Sequence, residues 1–444
     1  MDSTARRYAE RNVPRYTSYP TAADFTAQVG PGDHAAWLGA LDPQESISVY
    51  LHVPYCREIC LYCGCNTKKA IRDDVIADYR RALEAEIAHA SRLAKRRLCV
   101  ARLHWGGGTP SILGAAGLES VLAVIEERFS LANGLEHAIE LDPRHVTETL
   151  AKHLATLGVT RASLGIQDTN PLVQAAIGRL QPLAMVQAAV DRLRSAGIDN
   201  LSFDLMYGLP LQSVESIRRT CIEALSLSPR RIACFGYAHL PRLKANQRRI
   251  DAAALPSQDQ RILQAEAMAE ALAGAGYVPI GIDHFARPDD PLARATVSGK
   301  LHRNFQGYTD DDRKVLLGFG ASSISTFANG FVQNIADVPS YVRRIGSGAL
   351  ASVRGCRISP EDRARGRIIE RLMCDFEADL DALAPGLDLT GELAQLDPMR
   401  RDGLIETVAG RLVVTDAGRA VVRVIAATFD AFRRSEALQF SRAV

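Results

Sequence analysis

The run Ile47-Ser48-Val49-Tyr50-Leu51-His52-Val53 leads, after Pro54-Tyr55, into Cys56-Arg57-Glu58-Ile59-Cys60-Leu61-Tyr62-Cys63-Gly64-Cys65. The first seven residues alternate in polarity and are rich in β-branched side chains, which predicts a strand. Four thiols then crowd into the ten residues from Cys56 to Cys65. They therefore sit on a loop at the C-terminal end of that strand.

Working outward, strand and helix patterns alternate. Helical periodicity runs from about Asp73 to Lys95. Arg102-Leu103-His104-Trp105 enters the run Gly106-Gly107-Gly108-Thr109-Pro110. A helix is predicted near Ala116–Phe129, then a strand over Ala138–Asp142, a helix over His145–Leu157 and a strand over Arg161–Gln167. Short helices near Pro171–Ala176 and Pro182–Ala196 precede the strand Leu201–Met206, the helix Val214–Leu227 and a sixth strand, Arg231–Ala238. Six strands separated by helices predict a parallel sheet with right-handed crossovers. The chemistry-bearing residues fall at the strands' C-terminal ends, which suggests a partial (β/α)6 barrel. A doubly wound open sheet is the competing topology. The tail reads separately, with an amphipathic helix over Pro360–Phe376, a hairpin of Gly403–Val408 and Arg411–Thr415, and a helix over Ala417–Arg433. This mostly helical, winged-helix-like unit is read as a lid or packing module rather than a DNA reader.

The 444 residues carry 53 Lys and Arg against 51 Asp and Glu. Charges of both signs are mixed throughout and no basic block tracks phosphates, so nucleic acid is not the expected partner. No stretch of eighteen apolar residues exists, and Met1 to Arg15 holds no apolar core of a signal peptide, so no membrane span is expected. The odd count of nine cysteines argues against a disulfide framework. Exposed clustered thiols need a reducing compartment, which points to the cytoplasm.

Zinc is one reading of the thiols, but structural zinc sites pair two separated Cys pairs. Here Cys99, Cys221, Cys234, Cys356 and Cys374 are scattered singly. The C-x3-C-x2-C spacing of Cys56, Cys60 and Cys63, with Tyr62 before the last thiol, resembles the signature of radical S-adenosylmethionine (SAM) enzymes. Three thiolates hold three irons of a [4Fe–4S] cube and leave the fourth iron open. Cys65 is read as a non-ligand, because the triplet already supplies those thiols. The glycine run lets backbone approach a ligand closely. Glu140 and Asp204 are carboxylates at strand ends, suited to an ammonium or a ribose hydroxyl. Their bland reading, shared by Gln167 and Arg179, is a cap or a surface group.

Over the whole chain the sequence resembles the oxygen-independent coproporphyrinogen III oxidases. The segments that carry the resemblance are Pro14-Arg15-Tyr16-Thr17-Ser18-Tyr19-Pro20-Thr21, the Cys63-Gly64-Cys65-Asn66 ending, His104 to Pro110, Asp204 to Pro210, Tyr237 to Pro241, Asp283-His284-Phe285-Ala286 and Leu301 to Tyr308. The cysteine triplet specifies the superfamily alone. The arm, the CGCN ending and the HRNFQGY stretch specify the oxidase.

The resemblance implies three parts: an N-terminal arm over the active site (1–45), a radical SAM catalytic domain (46–350) and a C-terminal domain (351–444). It implies that Cys56, Cys60 and Cys63 ligate the cluster. A first SAM would be contacted by Tyr50, Tyr62, Gly107, Glu140 and Ile324, and a second by Gly108, Thr109, Gln167, Arg179, Asp204 and Ala238. Tyr50 is also carried as part of the catalytic set. The implied reaction begins with a 5′-deoxyadenosyl radical that takes a hydrogen from a propionate β-carbon. Loss of carbon dioxide and an electron then leaves a vinyl group. Two rounds turn coproporphyrinogen III into protoporphyrinogen IX, with flavodoxin or ferredoxin as electron donor and the protein a monomer. Arg15, Arg287 and Arg303 are candidate partners of the substrate carboxylates, with His284 and His302 as donors and Phe305 or Tyr308 as stacking surfaces. Family members usually have Asn-Arg where this chain has Gly178-Arg179, and some have Asn at Gly236. The alternatives are a haem chaperone of the same superfamily, a haem-acting radical SAM methyltransferase and a zinc-stabilised interaction protein.

Overall fold

The computed structural model describes residues 3–433; the ends of the arm and of the C-terminal domain lie outside the described residues. The chain divides into two compact units, one of residues 26–256 and 313–357, the other of residues 1–25, 257–312 and 358–444.

In the first unit the strand β1 (Ser46–Val53) is buried on both faces, as a parallel sheet requires. It is followed by β2 (Cys99–Gly107), β3 (Ser130–Leu141), β4 (Arg161–Gln167), β5 (Asn200–Tyr207) and β6 (Arg231–Gly236). These strands lie side by side in chain order, each parallel to the next. Strand order never reverses among the six, so the doubly wound alternative, which needs a switch point, is excluded. The partial (β/α)6 barrel expected from the sequence is the observed one. The intervening helices include α1 (Asp73–Leu93), which buries Ile76, Tyr79, Leu83, Glu86, Ile87 and Ala90 along one stripe.

Strands of this sheet beyond these six were not expected. β7 (Leu316–Phe319) pairs parallel with the free edge of β1. The short strands β8 (Ile324–Phe327), β9 (Gly330–Asn334) and β10 (Ser352–Arg357) continue the sheet antiparallel from there. The helix expected from His145 starts at Glu148, because Thr147 caps it by accepting from the Leu150 N–H and Pro143 opens a separate 3₁₀ turn. β6 ends at Gly236, two residues short of Ala238.

In the second unit the helix Pro360–Asp375 and the hairpin strands Ile405–Val408 and Arg411–Val414 form as expected. A third strand, Glu377–Asp379, joins the hairpin, and a helix spans Thr390–Arg401. The helix expected over Ala417–Arg433 is instead a 3₁₀ turn at Arg419–Val421 and a short helix, Val422–Ala427. Ile368, Leu372, Leu396, Leu412, Ile425 and Phe429 form the core, which also takes in Tyr16 and Tyr19 of the arm. The Tyr16 hydroxyl donates to Asp430 Oδ2 at 2.9 Å, and Arg423 Nε donates to the Pro14 carbonyl at 3.0 Å.

Candidate active site

The thiol loop is closed at its base. Tyr55-Cys56 and Lys68-Lys69 pair as a two-residue parallel ladder. The Gly108 N–H donates to the Val53 carbonyl and the Thr109 N–H to the Tyr55 carbonyl, both at 2.8 Å, so the glycine end of β2 is joined to the end of β1. This contact needs glycines. A Cβ on Gly108 would lie 2.5 Å from the Tyr55 carbonyl oxygen, one on Gly107 (φ +109°) 2.5 Å from the His52 ring, and one on Gly106 2.6 Å from Glu140 Oε1. Gly108→Ala is therefore expected to destabilise the first unit by about 1–3 kcal/mol and to reduce iron uptake. Gly391→Ala, whose Cβ would meet nothing within 4 Å, is the neutral control. Denaturation curves and iron assays of the two variants check this.

Each thiol of the triplet has its own polar neighbour. Thr109 Oγ1 donates to Cys56 Sγ at 3.4 Å, Arg179 donates to Cys60 Sγ at 3.3 Å, and Cys63 Sγ lies 3.6 Å from Thr67 Oγ1. Burial pushes the Cys56 thiol up to about 11, with the neighbouring Cys63 and Cys60 adding to the rise. Cys63 is held down at about 6, chiefly by a hydrogen bond from Cys65, which keeps its own proton. Cys56 thus keeps its proton near neutral pH unless a cation arrives beside it. Among the described residues no three His, Cys, Asp or Glu side chains gather around a single ion. A cluster makes no such demand, since each thiolate meets a different iron.

The carboxylates line the same end of the sheet. Glu140 Oε2 accepts from the Gly107 N–H at 3.1 Å and Oε1 lies 3.2 Å from His104 Nε2. Burial raises its pKa, but the His104 bond and charge and the Gly107 N–H outweigh that and leave it lowered. Its side chain stays 39% accessible. Asp204, opposite Gly165 of β4, is pushed up to about 7 by burial and then by the Glu140 charge. Of these two carboxylates, Glu140 is ionised and Asp204 is held protonated chiefly by burial, an arrangement suited to a cationic ligand.

The sign of the Asp204 shift gives a test. In the unfolded chain this carboxyl ionises near 3.8, whereas in the folded protein it keeps its proton to about 7. Its contribution to stability is present at low pH and is lost as pH rises through that window. Ligand-free Asp204→Asn is expected to melt above the wild type at pH 8 and to lose that margin near pH 4. A margin independent of pH would remove the assignment.

Arg179 links these parts. It is buried, lies 3.4 Å from Asp142, donates to the Gly165 carbonyl at 2.9 Å and to Gln181 at 3.0 Å. Gln167 follows a register shift in β4 and has a left-handed backbone (φ +65°), strain of the kind that gathers at functional sites. Gly178 also has a positive φ of +65°. Asparagine tolerates that conformation as well, so glycine there leaves the path into Arg179 unchanged. At Gly236 a Cβ would meet the Tyr207 hydroxyl at 2.8 Å.

Tyr50 lies opposite His104 of β2 and Gly318 of β7, its hydroxyl 3.1 Å from His52 Nδ1. Ile324 opens β8, its backbone packed over Gly318. Tyr62 packs with Leu61 against Val173, Ile177 and Tyr237. Ala238 lies just beyond the end of β6, at this same end of the sheet. Sequence reasoning missed His52, His104, Asp142, Lys244, Asn246 and Gln247.

Of the residues expected to meet the substrate, Tyr308 is buried in a core, its hydroxyl donating to the Met373 carbonyl at 2.8 Å, and does not offer a stacking face. His302 is engaged by Glu370, His284 by Asp283, and Arg287 lies 3.8 Å from Asp289. Phe305 meets Phe25 edge to face. Arg303 donates to the carbonyls of Arg15 and Tyr16, and its buried Nη1 has no hydrogen-bond partner.

A strand-end thiol triplet beside a glycine cradle on a partial barrel defines a radical SAM enzyme, and residues 50–223 match the Radical SAM superfamily. Residues 358–421 match the HemN C-terminal domain. The chain is 45% identical to the oxygen-independent coproporphyrinogen III oxidase of Bradyrhizobium diazoefficiens over 98% of both chains. It is 39% identical to that of Salmonella typhimurium, covering 97% of this chain and 96% of the relative. The solved structure of coproporphyrinogen III oxidase (HemN) from Escherichia coli, a radical SAM enzyme, superposes with a TM-score of 0.90 at 36% identity, covering 94% of this chain and 97% of that one. The chain belongs to the oxygen-independent coproporphyrinogen III oxidase family.

Proposed function

We propose that this chain decarboxylates two propionate side chains of coproporphyrinogen III to vinyl groups without oxygen, giving protoporphyrinogen IX. The observation that carries the reading is the Cys56, Cys60 and Cys63 loop held against the glycine cradle and the Glu140–Asp204 pair. The residues fit the family's cofactors: three thiols on one loop at the strand's end, a backbone that ligand atoms can approach, and carboxylates placed for a cationic group. When bound, the reduced [4Fe–4S] cluster and SAM supply the radical that removes a hydrogen atom from the substrate.

The chain's own residues do the placing. Cys56, Cys60 and Cys63 hold the cluster, and Cys65 is kept from it by pairing with Cys63. Tyr50, Tyr62, Gly107, Glu140 and Ile324 seat the first SAM. Gly108, Thr109, Gln167, Arg179, Asp204 and Ala238 seat the second. Asp204 gives up its proton as a cationic group arrives. Arg303 braces the arm instead, donating to the Arg15 and Tyr16 carbonyls with its guanidinium 4.1 Å over the Tyr308 ring. The protein is read as a monomer of the reducing cytoplasm that takes electrons from a flavodoxin or ferredoxin. Among the described residues no helix is long and apolar enough to cross a membrane.

The test is anaerobic. Reconstituted protein, SAM, a low-potential reductant and coproporphyrinogen III are expected to yield methionine, 5′-deoxyadenosine and protoporphyrinogen IX. Cleavage of SAM with no vinyl product would favour a haem-handling rival.

A further inference from the structure

Five carbonyl oxygens of the thiol loop lie within hydrogen-bond reach of side chains from one four-residue stretch after β6. Asn246 Nδ2 lies 3.1 Å from the Cys60 carbonyl, 3.0 Å from that of Leu61 and 2.9 Å from that of Cys63. Gln247 Nε2 donates to the Tyr62 carbonyl at 2.9 Å while its Oε1 accepts from the Leu240 N–H at 2.5 Å. Lys244 Nζ donates to the Cys65 carbonyl at 3.1 Å. Gln247 is 1% exposed. The loop has little regular structure of its own to fix it: within it, the Cys63 N–H donates to the Cys60 carbonyl at 3.2 Å, and outside it the Leu61 N–H reaches the Ile177 carbonyl at 2.9 Å.

We propose that Lys244, Asn246 and Gln247 are positioning residues that fix the thiol loop in its iron-binding shape before the cluster arrives, and that Lys244 also favours the cluster's reduced state. The first part follows from entropy. A loop that must order itself around its metal loses conformational freedom on binding, and that loss weakens retention. Carbonyls already held by side chains remove most of it. The second follows from charge. Reduction adds an electron to the cluster, and an ammonium bonded within the ligand loop stabilises the more negative state. The inference rests on the cluster reading but is separable from it. Iron and sulfide in the wild type test that reading, and differences between variants test this one.

Asn246→Asp keeps the shape of the side chain but cannot donate, so packing and hydrogen bonding are told apart. With the full chain reconstituted anaerobically, Asn246→Asp is expected to release iron to a chelator at least about tenfold faster than the wild type, one lost or reversed hydrogen bond being enough for that factor. Apo-protein melting should change little. Lys244→Met, which keeps the aliphatic stem at this half-buried position, is expected to shift the cluster's midpoint potential to more negative values. Wild-type release rates in Asn246→Asp, or an unmoved potential in Lys244→Met, would overturn the corresponding part. If Asn246→Asp lowers apo-protein melting and iron retention in equal proportion, the residue serves the fold alone and the proposal fails.

Discussion

Cys56→Ala protein, assembled with iron and sulfide under argon, is expected to lose most of its cluster absorbance and to cleave no SAM. Cys65→Ala should keep both iron and sulfide near wild-type levels. The contrast follows from position. Cys56 is anchored at the loop's base by the ladder to Lys69, and its sulfur faces Thr109. Cys65 instead keeps its proton and donates to Cys63. Removing Cys65 takes away that bond, and the Cys63 thiol should then titrate higher in the apo-protein. Equal iron loss in both variants would overturn the assignment of ligands.

Glu86→Ala is expected to cost the first unit about 3–5 kcal/mol, read as a lower midpoint in chemical denaturation. Glu86 lies on the apolar stripe of α1 and is 1% exposed. It accepts from the Gly320 N–H at 2.7 Å, the Tyr341 hydroxyl at 2.6 Å and Asn334 Nδ2 at 2.6 Å. Alanine would leave those donors buried around a void. Two turns earlier on α1, the Tyr79 hydroxyl donates to the His52 carbonyl at 2.6 Å and accepts from the Ala321 N–H at 2.9 Å. Together the two residues tie the ends of β1 and β7 to one helix, so iron uptake should fall along with stability.

The loss should depend on pH. Burial pushes Glu86 up to about 7, against the pull of its three donors, from 4.5 in the unfolded chain. The wild type therefore loses stability as pH rises between those values, and the variant does not. The deficit of Glu86→Ala should be widest below about pH 4.5 and narrowest above pH 7. A deficit below about 1 kcal/mol would mean that the network relaxes around the vacancy.

What could be read from the chain was local. β1 declares itself by its alternation, and the triplet by spacings of a few residues. The six parallel strands could be counted because helical segments separate them. β8 to β10 were missed because they are four to six residues long and follow the small, polar stretch Ala321-Ser322-Ser323. The helix over Ala417–Arg433 was overread for a different reason. Val421 to Ala426 is buried throughout, and a segment buried on all sides carries no period with which to mark its ends. Tyr308 looked like a stacking surface because nothing local distinguishes a core tyrosine from a binding one.

The candidate site divides in the same way. The thiols, glycines and strand-end carboxylates follow from local motifs together with the barrel's habit of presenting chemistry at one end. Glu86 was invisible, since a glutamate within a helix reads as solvated until three donors from elsewhere are seen around it. The grip of Asn246 on the thiol loop was equally hidden. Its bonds span 183 to 186 residues and join a side chain to carbonyls, which leave no trace in the sequence of the loop.

The most direct measurement uses coproporphyrinogen III deuterated at the propionate β-carbons, turned over anaerobically with the reconstituted protein and SAM. The expected result is deuterium in 5′-deoxyadenosine, with two molecules of it formed for each protoporphyrinogen IX. Vinyl product with unlabelled 5′-deoxyadenosine, or with no SAM consumed, would contradict the assignment of this site to radical decarboxylation.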